Sequence, residues 1–207
     1  GFKTPPTLIS NNPNKIKEFI RSNKHNNVIY KTLSQATWLS KKEIRLSYTK
    51  TITLADLPPD QILQMTPGIF QQKILKDFEL RITIIGNHII AVKILSQKHP
   101  KGIMDWRCIP SHELLIERFE LPSNIKNKCL KFMQKMGLVF GCFDFIVTPD
   151  EEYYFLEINE QGQFLWIESL NPDIKMLDSF VSFLTTTSNM DSYKESSTSI
   201  SLSEFAL

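Results

Sequence analysis

Three side chains with oxygen ligands lie in two neighbouring apolar segments that predict a β-hairpin. Asp144 lies in VFGCFDFIV, and Glu157 and Asn159 lie in YYFLEIN after a short polar stretch. With a two- or four-residue turn centred on Asp150 and Glu151, Asp144 falls directly opposite Glu157 on the same side of the sheet. Asn159 points to that side too, because side chains alternate along a strand. A turn one residue longer or shorter would shift this pairing.

Paired carboxylates of this kind favour a cation between them. At roughly 5 Å and an effective dielectric near 20, Asp144 and Glu157 repel by about 3 kcal/mol. Protonation of one acid, a basic side chain between them or a divalent cation would relieve that repulsion. Mg²⁺ typically takes one or two carboxylates and completes its shell with water and phosphate oxygens, so the pattern indicates a magnesium site. The alternative is an exposed hairpin end whose acids are simply hydrated.

The elements around this hairpin mix helices with antiparallel strands. Glu79 and Arg81 share one face of a strand that alternates polar and apolar residues, and Lys31 lies in the middle of a short apolar strand. Because no strand–helix–strand rhythm is visible, the pattern favours an α+β domain. The predicted elements are a helix from Pro13, strands over Val28–Leu33, Glu79–Ile85 and Ile89–Leu95, a helix from Ser123 to Gly137, and a helix from Pro172 to about Leu184.

Composition excludes several classes of function. The 207 residues carry a formal charge of +2, too small to indicate nucleic-acid binding. The sequence has no apolar run of about 18 residues, which predicts no membrane association and no signal peptide. Its three cysteines form no CxxC pair, which argues against zinc and disulfides and favours a reduced, cytoplasmic compartment. The Ser/Thr-rich stretch 186–207 is predicted to be a flexible tail.

Longer blocks resemble a known family. FDFIVTPDEEYYFLEINEQGQFLWIE resembles the metal-binding end of ATP-grasp enzymes, and its NEQGQFLWIE part resembles the ATP-grasp ligases that cyclise ribosomal peptides of the microviridin, or graspetide, type. The blocks GFKTPPTLISNN, VIYKTL, FQQKILKDFELRITIIGNHIIAVKI and DWR follow the family's order. The resemblance implies an ATP-grasp fold over 1–185, with a lid-like subdomain near 28–75 and a C-terminal subdomain near 76–185 that clasp ATP. The chain opens on Gly1 without a methionine, and the family's N-terminal domain is expected to be missing.

The resemblance assigns the nucleotide to five residues. Lys31 is expected to contact the ATP phosphates. Gln72, Lys73 and Ile74 are expected to form the adenine hinge, largely through backbone groups. Glu79 is expected to bind the ribose hydroxyls.

The same resemblance assigns the metal and the reacting groups. Asp144, Glu157 and Asn159 are expected to hold two Mg²⁺ ions, with Glu157 bridging them and with Mn²⁺ as a substitute ion. Arg107 is the expected catalytic residue, neutralising the transferring phosphoryl group or the oxyanion that follows. Arg81 is expected to face phosphates or substrate.

These roles predict a peptide ligase that uses ATP and Mg²⁺. It would activate Glu or Asp side chains of a ribosomal precursor peptide as acyl phosphates and join them to Ser or Thr hydroxyls, or to Lys amines. One alternative is a ligase that adds amino acids to a protein or peptide terminus. Another is a truncated module that binds nucleotide or peptide without chemistry. The expected partner is the precursor peptide, and a homodimer is left open.

Overall fold

The computed structural model describes residues 1–23, 27–33, 37–39, 44–185 and 200–204. The chain forms two compact units. The smaller unit comprises Thr4–Leu75 and Pro100–Cys108, and the larger one comprises Gly1–Lys3, Lys76–His99 and Ile109–Leu207. Within the described ranges, no helix has both the length and the apolar character needed to cross a membrane.

The smaller unit contains a four-stranded antiparallel sheet and a separate two-stranded ribbon. Its elements are β1 (Thr7–Ser10), α1 (Pro13–Ser22), β2 (Val28–Lys31), β3 (Thr37–Leu39), β4 (Ile44–Leu46), β5 (Lys50–Thr51), α2 (Asp60–Leu63) and β6 (Gly68–Gln72). The sheet has the order β1-β6-β2-β5, and β3 pairs with β4. The strand that was predicted to reach Leu33 ends at Lys31.

Helix α1 covers one face of this sheet. Asn12 caps the helix by accepting hydrogen bonds from the N–H groups of Asn14 and Lys15, as its position before Pro13 predicts. The apolar stripe of α1 packs against β2 and β6, with a core made of Ile16, Ile20, Val28 and Phe70. Because side chains alternate along a strand, the neighbours of these core residues on β2 and β6 point to the opposite face.

The larger unit contains a five-stranded antiparallel sheet. Its elements are β7 (Phe78–Ile85), β8 (His88–Ile94), β9 (Ile116–Arg118), α3 (Ser123–Met136), β10 (Phe140–Val147), β11 (Tyr153–Asn159), α4 (Trp166–Leu170) and α5 (Met176–Thr185). The strand order is β11-β10-β7-β8-β9. Two antiparallel sheets with helices confirm the predicted α+β class.

Helix α3 packs on one face of this sheet and fills its main core. It begins at Ser123 and ends at Gly137, whose φ of 66° is the left-handed conformation that glycine adopts most easily. Cys129 and Met133 of α3 are buried against β7 and β10, so they are packing residues, as predicted. Phe2 joins the same core through ring contacts with Phe132, Phe143, Phe145 and Phe155.

The predicted helix from Pro172 is wrong in its start, and helix α4 was not predicted. Helix α5 begins only at Met176, and Leu184 near its end is 65% exposed. The cause is tertiary. The carboxylate of Glu168 on α4 accepts the N–H of Leu177 in the first turn of α5, 2.8 Å away. A cap supplied by another helix leaves no local mark in the sequence before Met176.

The segment 200–204 contacts these two helices. The Ser201 hydroxyl and the Leu202 N–H donate to Glu168, and the Ile200 N–H donates to Asp178. Glu168 is 1% exposed, so the Ser201 hydroxyl and the Leu202 N–H satisfy a carboxylate that burial would otherwise penalise. Residues 186–199 and 205–207, the rest of the predicted flexible tail, lie outside the described residues.

Candidate nucleotide and metal site

The strands β10 and β11 place the two predicted carboxylates opposite each other. Asp144 pairs with Glu157, and Cys142 pairs with Asn159. Nδ2 of Asn159 donates to an oxygen of Asp144 at 3.4 Å and to an oxygen of Glu157 at 3.2 Å, so the amide would turn its oxygen towards a bound cation. The predicted cluster of two carboxylates and an amide on one face is therefore confirmed as geometry.

The loop that joins β10 to β11 differs from the predicted two- or four-residue turn. The N–H of Thr148 donates to the carbonyl of Glu152, which closes a three-residue loop, and Glu151 has a positive φ of 57° as such loops require. This loop shifts the pairing by one residue, so Val147 faces Tyr153 rather than Tyr154. The predicted two- or four-residue turn also implies a pair of Phe145 with Leu156, which is likewise wrong because Phe145 pairs with Phe155.

A β-bulge restores the register before the acids are reached. Phe145 pairs with Phe155 and Asp144 with Glu157, so Leu156 is the extra residue on β11. A bulge of this kind shifts the pairing by one residue, so the side chains of β11 beyond it point to the opposite face from the one they would otherwise have. Without it, the three-residue loop would have separated Asp144 from Glu157.

A basic side chain relieves the repulsion between the acids. Nη1 of Arg81, on β7, donates to both oxygens of Asp144 at 2.8 and 2.6 Å. Its Nη2 donates to the carbonyl of Gln163 at 2.9 Å, and its buried Nε has no hydrogen-bond partner among the residues that the structure describes. Burial would lower the pKa of Arg81, but the charge of Asp144 raises it above its ordinary value. Arg81 thus stays cationic and holds Asp144 in place.

The oxygen atoms that remain suit a hard divalent cation. Among the described residues, no three His, Cys, Asp or Glu side chains are arranged to hold a metal ion. Asp144, Glu157 and the Asn159 amide therefore offer at most two carboxylates and one neutral oxygen. That set fits Mg²⁺, which keeps several water or phosphate ligands.

The loop after β11 is tied to the same cluster, which sequence reasoning missed. A Cβ on Gly162 would lie 2.9 Å from the Cβ of Cys142, so only glycine allows this approach. The Gln163 carbonyl accepts hydrogen bonds from Arg81 and from the indole of Trp166. The Gly-Gln and Trp of the quoted NEQGQFLWIE block were the available signal, but their contacts are made across strands.

Glu79, the predicted ribose ligand, lies buried on β7. Its two carboxylate oxygens accept hydrogen bonds from Lys76 and Ser96. Burial raises the pKa of Glu79 above its usual value, and the opposing effect of the Lys76 charge is smaller. Each carboxylate oxygen has two lone pairs, so these contacts leave acceptor capacity for a hydroxyl.

The predicted phosphate lysine and hinge lie in the smaller unit. Lys31 donates to the side-chain oxygen of Gln71 at 3.0 Å. The N–H groups of Gln72 and Lys73 donate to the carbonyls of Pro6 and Asn27. The Ile74 N–H has no backbone acceptor in the part of the chain that the structure describes, so among the backbone donors of the predicted hinge it has capacity for a ligand.

Arg107, the predicted catalytic residue, forms a two-point ion pair with Asp105 in the same unit. Its Nε and Nη2 donate to the two carboxylate oxygens at 2.9 and 2.6 Å. The side chain of Arg107 is 41% exposed, whereas Asp105 is 6% exposed and also accepts the Thr49 N–H. Burial alone would raise the pKa of Asp105, but the hydrogen bonds and charge of Arg107 outweigh it and lower the pKa to about 2. Asp105 therefore orients Arg107.

This ion pair predicts a stability loss in acid. The ordinary pKa of the group is 3.8 and the folded value is about 2, so the pair stabilises the fold fully above pH 4 and progressively less as the pH falls towards 2. We expect the unfolding free energy of the native protein to exceed that of Asp105→Asn by at most about 2 kcal/mol at pH 5. Denaturant titrations should show the difference shrinking at lower pH. A difference independent of pH between 5 and 2 would contradict the ion-pair interpretation.

The predicted site residues are thus divided between the two units. The larger unit brings Asp144, Glu157, Asn159 and Arg81 into one contact group, and Glu79 lies on the same face of β7 as Arg81. The smaller unit carries Lys31, the hinge residues Gln72, Lys73 and Ile74, and Arg107.

Comparison with known proteins finds similar solved structures. No protein-family model matches the chain, and no curated protein is significantly similar. Among solved structures, an ADP and peptide complex of a RiPP-associated ATP-grasp ligase from Chryseobacterium gregarium is 31% identical with a TM-score of 0.80. The macrocyclases MdnC, solved with the precursor peptide MdnA, and MdnB, both from Microcystis aeruginosa, are 35% and 28% identical with TM-scores of 0.75 and 0.68. Each comparison covers 89% of this chain and 55% of the other, so the chain spans about half the length of these proteins.

Proposed function

We propose that this chain, which has the ATP-grasp fold and is similar over 89% of its length to a RiPP-associated ATP-grasp ligase, acts in the ATP-dependent modification of a ribosomally made precursor peptide. The single observation that carries the proposal is the contact group of Asp144, Glu157 and Asn159 on one face of the larger unit's sheet. Two of the similar proteins were solved with leader, core or precursor peptides. These complexes support a peptide partner for this chain.

The proposal assigns the parts of ATP to residues according to their chemistry. The Lys31 ammonium suits the phosphates, since a lysine is a point charge with three donors. The Ile74 N–H and neighbouring backbone of the hinge suit the edge of the adenine ring. The Glu79 carboxylate suits the ribose hydroxyls, because each of its oxygens keeps a lone pair beyond the hydrogen bond that it already accepts.

The metal and the two arginines supply positive charge. Asp144, Glu157 and Asn159 would hold Mg²⁺, which when bound neutralises charge on the phosphate oxygens. Arg81 keeps Asp144 oriented and ties it to the loop carbonyl of Gln163. Phosphoryl transfer depends mainly on positioning and charge neutralisation, and these residue types provide both.

The proposed reaction activates a carboxylate before it forms a new bond. The ATP γ-phosphoryl group moves to a Glu or Asp side chain of the peptide, which gives an acyl phosphate and ADP. A Ser or Thr hydroxyl of the same peptide attacks the carbonyl carbon, loses its proton and expels phosphate, which leaves an ester. Attack by a Lys amine would leave an amide. Arg107, oriented by Asp105, would face the charge that develops on the phosphoryl oxygens or on the oxyanion.

Mass spectrometry tests this proposal directly. The protein is incubated with ATP, Mg²⁺ and the peptide encoded next to its gene, if that peptide is rich in Thr and Glu, or with a synthetic Thr- and Glu-rich peptide otherwise. Each closed ring should lower the peptide mass by the mass of one water. Ester rings should open in mild base, whereas amide rings should persist.

Other outcomes assign other functions. Consumption of ATP without loss of water from the peptide, together with an increase in peptide mass by amino-acid residues, would instead indicate a ligase that adds to a terminus. Binding of nucleotide without ATP consumption or peptide modification would indicate a non-catalytic binding module.

A further inference from the structure

A hydrogen-bond chain in the smaller unit leads from Lys31 to the backbone. The Lys31 ammonium donates to Oε1 of Gln71 at 3.0 Å, and Nε2 of Gln71 donates to the Thr7 hydroxyl at 2.8 Å. The Thr7 hydroxyl in turn donates to the carbonyl of Pro5 at 2.8 Å. Every link has the length of a well-formed hydrogen bond.

The groups at the two ends of this series of hydrogen bonds determine which atom donates at each link. The Pro5 carbonyl can only accept a hydrogen bond, so the Thr7 hydroxyl donates to it. A lone pair of the same hydroxyl then accepts a hydrogen bond from Gln71. Gln71 must therefore turn its NH₂ towards Thr7 and its carbonyl oxygen towards Lys31. The Lys31 ammonium can only donate, so it needs the carbonyl oxygen that Gln71 presents in this orientation.

The sheet register explains why these three side chains meet. Thr7 of β1 pairs with Gln71 of β6, and Lys31 of β2 pairs with Ile69, two residues before Gln71. All three thus point to the same face. Phe70, between Ile69 and Gln71, packs on the other face in the core with α1. Gln71 is 8% exposed, so its amide is held by neighbours on both sides.

We infer that Gln71 is a positioning residue that aims the Lys31 ammonium at the nucleotide phosphates, an inference that rests on the proposed function. A lysine side chain has several rotatable bonds, and ordering it costs rotamer entropy. Gln71 fixes the ammonium with a neutral acceptor, which leaves the positive charge intact for a phosphate. A carboxylate at position 71 would fix it equally well but would neutralise it.

The test compares ligands with and without phosphates. Gln71→Met keeps the shape of the side chain but removes the acceptor, and we expect it to weaken Mg²⁺·ATP binding about fivefold, the size expected for loss of one hydrogen bond of average strength. Adenosine binding should not change, because adenosine has no phosphate for Lys31 to contact. Thr7→Val should weaken ATP binding by a smaller factor, since it only frees the amide to turn. Gln61→Met, on the exposed side of α2, is the matched control and should behave like the native protein.

A double substitution shows whether the effect passes through the lysine. In a Lys31→Met background, Gln71→Met should cause no further loss of ATP affinity, because residues that act through one contact are not additive. Additive losses would overturn the inference, as would equal losses for ATP and adenosine, which indicate a structural role only. If Gln71→Met does not fold, Thr7→Val and Thr7→Ser decide, and equal ATP affinity in these two variants would overturn the inference.

Failure of the underlying proposal has a different signature. If the native protein binds ATP no better than adenosine, the assignment of phosphates to Lys31 is wrong and the role of Gln71 falls with it. If the native protein prefers ATP and the Gln71 variant retains that preference in full, only the role of Gln71 is wrong.

Discussion

Glu157→Gln is expected to remove the Mg²⁺ dependence of ATP binding. The carboxylate is one of only two in the contact group, and an uncharged amide is a much weaker ligand for a hard divalent cation. We expect an affinity for ATP in Mg²⁺ that is lower by ten- to a hundredfold, which corresponds to about 1.4 to 2.8 kcal/mol. Calorimetric titrations with Mg²⁺ and with a chelator measure the effect.

The stability of this variant separates metal binding from folding. Because Glu157 is exposed and faces the Asp144 carboxylate, its neutralisation relieves repulsion and should leave the melting temperature unchanged or raised. Glu160→Gln, an exposed acid on the adjoining loop, is the matched control and should retain native Mg²⁺ dependence. ATP binding by the native protein that is equal with Mg²⁺ and with chelator would show that the three residues do not form a metal site.

Arg107→Ala is expected to lower turnover by about two to three orders of magnitude with little change in ATP affinity. A group that meets charge developing in the transition state contributes little to ground-state binding, so its loss appears in kcat. Removal of one such donor typically costs about 10²–10³-fold. The measurement is ADP release and peptide dehydration in parallel with ATP titration.

The Arg107→Ala experiment needs a control for the loss of the ion pair with buried Asp105. Alanine at 107 leaves the Asp105 carboxylate without its guanidinium, so thermal denaturation must accompany the kinetics. Arg107→Lys keeps the charge but loses the two-point geometry, and we expect intermediate turnover. Arg21→Ala, at the exposed end of α1, is the matched control. Native turnover in Arg107→Ala would show that another residue meets the developing charge.

Local patterns in the sequence determined much of the fold. The Asn12 cap with Pro13 at the first position of α1, the apolar stripe of α3 with Gly137 after its end, and the alternation along β7 each predicted an element that the structure contains. These signals succeed because capping, helical periodicity and strand alternation act over a few residues. The identity of Asp144, Glu157 and Asn159 as candidate ligands also came from residue types and spacing.

Only the tertiary structure decided how those ligands meet. The opposition of Asp144 and Glu157 results from a three-residue loop and a bulge at Leu156 that cancel each other's shift, and neither irregularity follows from the local pattern. The partners that orient the site residues lie far away in sequence: Arg81 with Asp144, Gln71 with Lys31, and Glu168 with the start of α5. A sequence indicates which side chains are able to accept or donate, but which donor meets which acceptor depends on strand register and on packing between distant elements.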